Sequence, residues 1–200
     1  MVFMVGVCYP GVKAGVFCRG GGKAVGALTL VLGGSASGKS ETAECLAGSL
    51  GAPVTYVATM AASDGETAER IARHRRRRPA AWTTVEETHR LAAAVTRYGQ
   101  GGGVLLVEDL TTWLANLLTD PREGAGEEAV LAAVDEVLAA VERAPARVVV
   151  VADEVGWGLV PPYPLGRVFR DLAGRANQRV AARAGRVYLV VAGLRMTLKE

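Results

Sequence analysis

The sequence has few cysteines, little net charge and no long hydrophobic run. Its 200 residues include three cysteines, an odd number without paired spacing, which excludes a disulfide framework and a zinc site and predicts a reduced, cytoplasmic protein. Twenty-three basic and 20 acidic side chains give a net charge of only +3, so net charge offers no argument for nucleic-acid binding. No stretch approaches about 20 consecutive apolar residues, so the sequence predicts no membrane span.

The first 24 residues differ from the rest of the chain. They lack a basic segment ahead of their apolar part, and Gly6, Pro10 and Gly11 interrupt that part, which argues against a signal peptide. We predict that residues 1–24 are a poorly ordered extension or follow from a start codon assigned too far upstream. Residues 25–200 are predicted to form one catalytic domain.

After this extension, short apolar runs alternate with helical patterns. Short apolar runs, most of them unbroken series of Val and Leu, predict strands at residues 27–32, 53–58, 103–108, 147–152 and 186–192. Helices are predicted at residues 39–50, from residue 63 to just before Pro79, and at residues 127–143 and 167–184. This order predicts an α/β protein with a mostly parallel sheet covered by helices on both faces.

The strongest motif is a glycine-rich loop between the first strand and the first helix. It matches the pattern GxxxxGK[ST], in which backbone N–H groups and a helix N-terminus face phosphate oxygens. The lysine is expected to meet the terminal phosphates and the last serine to complete a magnesium shell. The motif consists of Gly33, Gly34, Ser35, Ala36, Ser37, Gly38, Lys39 and Ser40.

A second motif is a histidine among arginines, between Arg73 and Arg78. A solvated basic helix face is one interpretation, and a nucleic-acid patch is another, although no aromatic side chain interleaves the run. In a third interpretation, the neighbouring positive charges disfavour the imidazolium form of His74. The histidine would then be a neutral nucleophile beside a bound triphosphate. The residues alone leave these three interpretations open.

The sequence also predicts structural or functional roles for several single residues and short segments. Glu108 and Asp109 end a strand, where they either hold magnesium or cap the next helix. Cys45 is predicted to be a small core residue and His89 a surface helix residue. Residues 153–162 follow a strand end and are predicted to form either a turn or a substrate-binding loop, whereas Gly174, within a helix, suggests close helix packing.

Taken together, these motifs resemble the bifunctional adenosylcobinamide kinase / adenosylcobinamide-phosphate guanylyltransferase family of cobalamin biosynthesis. The resemblance runs in order from about residue 26 to the C-terminus. Its pieces are GGSASGKS, YVAT, ERIARHRRRRPAAWTTVEE, VEDLTTWLANLL, EVGWGLVP, PLGRVFRDLAGRANQRVAA and VYLVVAGL.

The resemblance implies a RecA-like P-loop fold, a homotrimer and a two-step reaction on a corrinoid. A nucleoside triphosphate, ATP or GTP, phosphorylates adenosylcobinamide with Mg2+, and GMP from GTP then passes through a guanylylated His74 to the new phosphate. The resemblance also implies that Lys39 is a catalytic residue. It implies no nucleic-acid partner. Besides the P-loop, the implied nucleotide contacts are Ala58, Thr59, Met60, Arg75, Arg76, Arg77, Arg78, Glu86 and Glu108.

Four positions depart from the family pattern. Trp157 stands where methionine is common, Ala152 and Asp153 replace a small polar pair, and Asp109 stands where cysteine is frequent. The residues also allow two alternative functions. One is a P-loop kinase acting on another small metabolite without a covalent GMP, and the other is a nucleic-acid-binding ATPase, which predicts steeply salt-dependent binding.

Overall fold

The structure, a computed structural model, describes residues 28–61, 65–120 and 126–200, and the N-terminal extension lies outside these ranges. The described residues form seven strands and six helices, which alternate along the chain except where α5 is the next element after α4 and β7 the next after β6. The strands are β1 (Leu28–Gly33), β2 (Val54–Ala58), β3 (Thr83–Glu86), β4 (Val104–Glu108), β5 (Arg147–Asp153), β6 (Arg186–Val191) and β7 (Leu194–Lys199). The helices are α1 (Lys39–Ser49), α2 (Gly65–Arg77), α3 (Leu91–Gly99), α4 (Leu110–Thr119), α5 (Glu127–Arg143) and α6 (Pro164–Arg183).

The strands form one sheet in the order β3-β2-β4-β5-β1-β6-β7. Every neighbouring pair is parallel except β6 and β7, which are antiparallel. The phosphate-binding loop follows β1, which lies between β5 and β6. Because the carboxyl ends of parallel strands meet at one edge, the ends of β1, β4 and β5 come together beside this loop.

Alternate residues of the central strands point to two separate hydrophobic clusters. Leu30 packs with residues of α3, α4, α5 and α6 on one face, whereas Val31 packs with Ala43 and Ala47 of α1 on the other. Helices therefore cover both faces of a mostly parallel sheet. This arrangement confirms the predicted P-loop α/β fold with a mostly parallel sheet.

Some sequence predictions on individual elements were wrong or incomplete. The edge strands β3 and β7 were not predicted, because most of their residues are exposed and neither is a buried apolar run. Cys45 is exposed on α1 rather than buried, because the core-facing positions of that helix are Ala43 and Ala47. His89 precedes α3 and is not helical.

Two further observations concern the helices. A Cβ atom added at Gly174 of α6 would meet nothing within 4 Å, so the predicted close packing is not made within the described chain. None of the described helices is long and apolar enough to cross a bilayer.

Candidate nucleotide-binding and catalytic site

The loop between β1 and α1 is shaped by close backbone approaches. A Cβ atom at Gly33 would lie 2.4 Å from Ser37 Oγ and 2.8 Å from the carbonyl oxygen of Val190. Gly38 has a φ of 90°, which glycine adopts without steric cost, and it forms the N-cap of α1. The Ser37 carbonyl accepts a 2.8 Å bond from the Gly193 N–H. The loop is thereby held at a helix N-terminus, where backbone N–H groups attract phosphate.

A buried contact joins this loop to β4. Ser40 Oγ donates a 2.5 Å hydrogen bond to Glu108 Oε1, while Glu108 Oε2 is buried without a hydrogen-bond partner. Desolvation, with a further contribution from the negative charge of Asp109, raises the pKa of Glu108 to about 8. An uncompensated buried carboxylate oxygen beside a hydroxyl is a fitting donor set for a hard divalent cation.

That cation would depend on other ligands for most of its shell. Among the residues that the structure describes, no group of three or more His, Cys, Asp or Glu side chains could hold a metal ion. Mg2+ commonly binds through one or two protein ligands together with substrate phosphates and water. Ser40 and Glu108 therefore fit Mg2+ that arrives with a nucleotide.

Lys39 is held by a residue that sequence reasoning did not single out as a site residue. Its Nζ lies 2.5 Å from Asp153 Oδ1 and donates a 3.2 Å bond to the Gly34 carbonyl. The two residues meet because Gly33 and Asp153 are opposite each other at the ends of β1 and β5. The pair could have been predicted only from the knowledge that β1 and β5 are neighbours in the sheet, and no local sequence pattern gives that order.

The second acid at the end of β4 has a structural role. Asp109 Oδ1 accepts a 2.6 Å bond from the backbone N–H of Thr112, so its carboxylate caps α4. The fully buried Thr59 donates from Oγ1 to the Asp109 carbonyl and accepts from the Asp109 N–H. Of the two predicted roles, Asp109 acts as the helix cap, and the magnesium role of Glu108 stays a prediction. The peptide bond between them is cis.

His74 lies in a pocket beside this strand end. The pocket is formed by the ends of β2, β3 and β4 and by one face of α2, and its lining includes Ala58, Met60, His74, Arg75, Arg78, Glu86 and Glu108. Six residues that the resemblance implied as nucleotide contacts therefore converge on one cavity with the implied nucleophile His74. The pocket also joins His74 to Glu108, which contacts the P-loop serine.

The four arginines after His74 point to different places. Arg75 forms an ion pair with Glu86 of β3, whereas Arg77 pairs with Glu41 and Glu44 of α1. Arg76 is exposed and does not line the pocket. Two of the four implied contacts, at positions 76 and 77, thus lie outside the cavity.

Arg78 is the most enclosed of these arginines. Its guanidinium lies 3.3 Å from the centroid of the Tyr56 ring, and its Nε is buried without a hydrogen-bond partner. A planar cation on an aromatic face is a recurrent way to fix a guanidinium. The buried Nε leaves one donor of Arg78 uncompensated beside the pocket.

The fold and this loop define a P-loop nucleotide-binding protein. Over residues 29–198 the chain matches the family described as "Cobinamide kinase / cobinamide phosphate guanyltransferase". The chain belongs to that family, which confirms the resemblance seen in the sequence. A P-loop kinase for an unrelated metabolite is therefore not favoured.

Curated relatives agree with the family match. The chain is 47% identical to the bifunctional adenosylcobalamin biosynthesis protein CobP of Pseudomonas aeruginosa, over 85% of this chain and 96% of that protein. It is 43% identical to the bifunctional adenosylcobalamin biosynthesis protein CobU of Escherichia coli, over 86% and 99%. The protein of the same name in Salmonella typhimurium is also 43% identical, over the same shares.

Solved structures of other proteins show a weaker likeness. The RadB recombinase superposes with a TM-score of 0.49 and 15% identity, covering 82% of this chain and 74% of that one. An ATPase of a type III secretion system gives a TM-score of 0.48 and 11% identity, covering 81% and 50%. A likeness of this size carries no functional information.

Proposed function

We propose that the protein phosphorylates adenosylcobinamide with a nucleoside triphosphate and then transfers GMP from GTP to the phosphate it has made. The transfer passes through a guanylylated His74 and yields adenosylcobinamide-GDP. The observation that carries the proposal is the pocket that brings His74, Arg75, Arg78 and Glu86 to Glu108, next to the P-loop.

Residues 33–40 bind the triphosphate in this proposal, with residues 25–200 acting as one catalytic unit. Lys39 exchanges its ion pair with Asp153 for one with a phosphate oxygen, so one charge-assisted contact replaces another. Ala58 and Met60 line the nucleotide pocket, and the buried Thr59 positions the end of β4 rather than touching the ligand. Arg75, Arg78 and Glu86 contact the nucleotide directly, whereas Arg76 and Arg77 act from outside the pocket.

The kinase step is a phosphoryl transfer in which positioning supplies most of the rate. The hydroxyl oxygen of the acceptor attacks the γ-phosphorus, the bond to the β–γ bridging oxygen breaks, and the nucleoside diphosphate leaves. The acceptor proton passes to solvent or to a neighbouring carboxylate. Lys39 and the loop N–H groups stabilise the negative charge of the phosphates throughout.

The guanylyl step uses the histidine as a nucleophile. A neutral ring nitrogen of His74 attacks the α-phosphorus of GTP, a nitrogen–phosphorus bond forms, and pyrophosphate leaves. A phosphate oxygen of adenosylcobinamide phosphate then attacks the same phosphorus and releases the histidine. Arg75 and Arg78 offset the charge of both sets of phosphates. When Mg2+ is bound, Ser40 and Glu108 hold it and it neutralises phosphate charge.

The experiment that tests the proposal looks for the covalent intermediate. The purified protein is incubated with Mg2+ and GTP labelled at the α-phosphate, then denatured, and the label is tested for acid lability and base stability. We expect a phosphoramidate that disappears in His74→Ala, while phosphorylation of adenosylcobinamide is largely retained. His89→Ala is the matched control, because His89 is the chain's other histidine and does not line the pocket. An adduct that survives His74→Ala would refute the role of His74.

The proposal also includes GTP and ATP as substrates, a cytoplasmic location and a homotrimer. The location is supported by three cysteines without paired spacing. The trimer is supported by family resemblance, and sedimentation of the purified protein tests it.

A further inference from the structure

The strongest unexplained feature of the surface is an apolar loop, residues 155–166, which leads from β5 into α6 and includes the first three residues of that helix. These twelve residues contain no charged side chain. The side chains of Trp157, Leu159 and Tyr163 are exposed, at 73%, 96% and 62%, and so are Val160 and Leu165. Clustered exposed apolar residues of this size mark a binding surface in a soluble protein.

The loop is anchored at both ends although its large side chains face outward. At its start, Val155 packs against the hydrophobic core. At its end, Arg167 Nη1 donates to the Pro161 and Pro162 carbonyl oxygens at 3.0 and 2.9 Å. A Cβ atom at Gly166 would lie only 2.6 Å from the Tyr163 ring, so glycine lets that ring pack closely on the start of α6. A fixed backbone that presents apolar side chains to solvent is preorganised for a ligand.

The position of the loop relates it to the phosphate site. The loop begins two residues after Asp153, whose carboxylate contacts Lys39. An acceptor hydroxyl that attacks the γ-phosphate must come close to Lys39, and the surface beyond the end of β5 lies next to that lysine. Ligands of α/β sheets bind at these carboxyl ends.

We propose that the apolar loop binds the ring of the corrinoid acceptor, with Trp157 and Leu159 as the main contacts. This inference rests on the proposed function and assigns the surface used by its substrate. A corrinoid has a broad macrocycle with apolar faces, which complements an aromatic and aliphatic surface better than a charged one. Exposed aromatic side chains on a fixed backbone supply such contacts at low entropic cost.

A second apolar surface serves as the internal comparison. Met196 and Leu198 of β7 are each 55% exposed, but they belong to the antiparallel edge strand of the sheet. An exposed edge strand is suited to pairing with another chain. A second copy of this protein is also the alternative occupant of the apolar loop. The experiment therefore measures the oligomeric state together with corrinoid binding.

The test compares two double variants with the wild-type protein. Trp157→Ala with Leu159→Ala removes the proposed contacts, and Met196→Ala with Leu198→Ala removes a similar exposed area from β7. We measure the dissociation constant of adenosylcobinamide, the yield of GMP-histidine with GTP alone, and the oligomeric state by sedimentation. We expect the loop variant to bind adenosylcobinamide about tenfold more weakly or worse, with an unchanged yield of GMP-histidine. The β7 variant should bind it like the wild type.

Trp157→Phe gives a spectroscopic check with a conservative variant that keeps an aromatic ring at this position. The coloured corrinoid should quench tryptophan fluorescence by energy transfer, which falls steeply with distance, so Trp157 in direct contact should be quenched more completely than Trp82 or Trp113. In Trp157→Phe we expect nearly wild-type affinity and the loss of this most strongly quenched component, whereas an unchanged quenched fraction would place the corrinoid away from Trp157.

Three other outcomes overturn the inference, and a fourth overturns only the guanylyl step. Unchanged corrinoid affinity in the loop variant shows that the corrinoid binds elsewhere, and a changed oligomeric state with that unchanged affinity assigns the loop to contact between copies. A wild-type protein that forms GMP-histidine but binds no corrinoid refutes both the loop's role and the proposed acceptor. A wild-type protein that forms no GMP-histidine but binds the corrinoid through the loop refutes the guanylyl step alone.

Discussion

The two halves of the candidate site are held in place by different forces. The phosphate half, made by the P-loop and the ends of β4 and β5, depends on buried contacts such as Ser40 to Glu108 and Lys39 to Asp153. The histidine half, made by α2, is joined to its neighbours by the exposed ion pairs of Arg75 and Arg77. Buried polar contacts are strong and costly to break, whereas exposed ion pairs contribute little and are screened by salt. Substitutions in the two halves should therefore differ in size.

The largest expected effect comes from removing the lysine of the phosphate half. Lys39→Ala should slow both the kinase and the guanylyl steps by about 10²- to 10³-fold, because one P-loop serves both triphosphates and a preorganised charge is lost. Initial rates of adenosylcobinamide phosphorylation and of GMP-histidine formation measure the two effects. Normal guanylylation in Lys39→Ala would mean that the two steps use separate triphosphate sites.

The next effect is a dependence of stability on pH in the phosphate half. Burial raises the pKa of Glu108 to about 8 from an ordinary value of 4.5. The folded protein therefore retains a proton that the unfolded chain loses, so the free energy of unfolding falls as pH rises from about 4.5 to 8. Without metal and nucleotide, the loss should be on the order of a few kcal/mol.

Urea unfolding at pH 5.5 and at pH 8.5 measures this loss. Glu108→Gln keeps the shape of the side chain without titrating, so its stability should depend less on pH than that of the wild type. An equal loss in both proteins would assign the pH dependence to other groups.

A smaller effect tests the close backbone packing of the P-loop. Gly33→Ala places a methyl group 2.4 Å from Ser37 Oγ and 2.8 Å from a backbone oxygen, and should cost about 1–3 kcal/mol of stability and weaken nucleotide binding. Gly34→Ala is the matched control, because a Cβ atom there meets nothing within 4 Å. Urea unfolding and nucleotide titration compare the two. Equal behaviour would show that the loop adjusts to the extra atom.

The sequence predicted the phosphate half better than the histidine half for a physical reason. The glycine pattern, the lysine and the buried Val and Leu strands are local signals, and β1, β4 and β5 were predicted to within one or two residues. Lys39 and Asp153 pair only because β1 and β5 are neighbours, which no local pattern states. The exposed strand β3, which supplies Glu86 to the pocket, lacks the apolar run that marks a buried strand.

The directions of the arginines were also beyond the sequence. Four consecutive arginines look equivalent in the sequence, yet Arg77, at the end of α2, faces α1, and Arg78, just after the helix, faces Tyr56. Which of them lines the pocket depends on where α2 lies against its neighbours. That position depends on tertiary contacts rather than on local propensity.

The smallest expected effect concerns those contacts of α2. Glu41→Gln removes an exposed partner of Arg77 and should slow GMP-histidine formation about two- to fivefold at low salt. The difference from the wild type should shrink at about 0.5 M salt, because screening weakens the same ion pair in the wild-type protein. Glu142→Gln, which removes an exposed partner of Arg183 far along the chain in α5, should leave the rate unchanged at both salt concentrations. A loss in Glu41→Gln that persists at high salt would show that packing, and not charge, holds the histidine half in place.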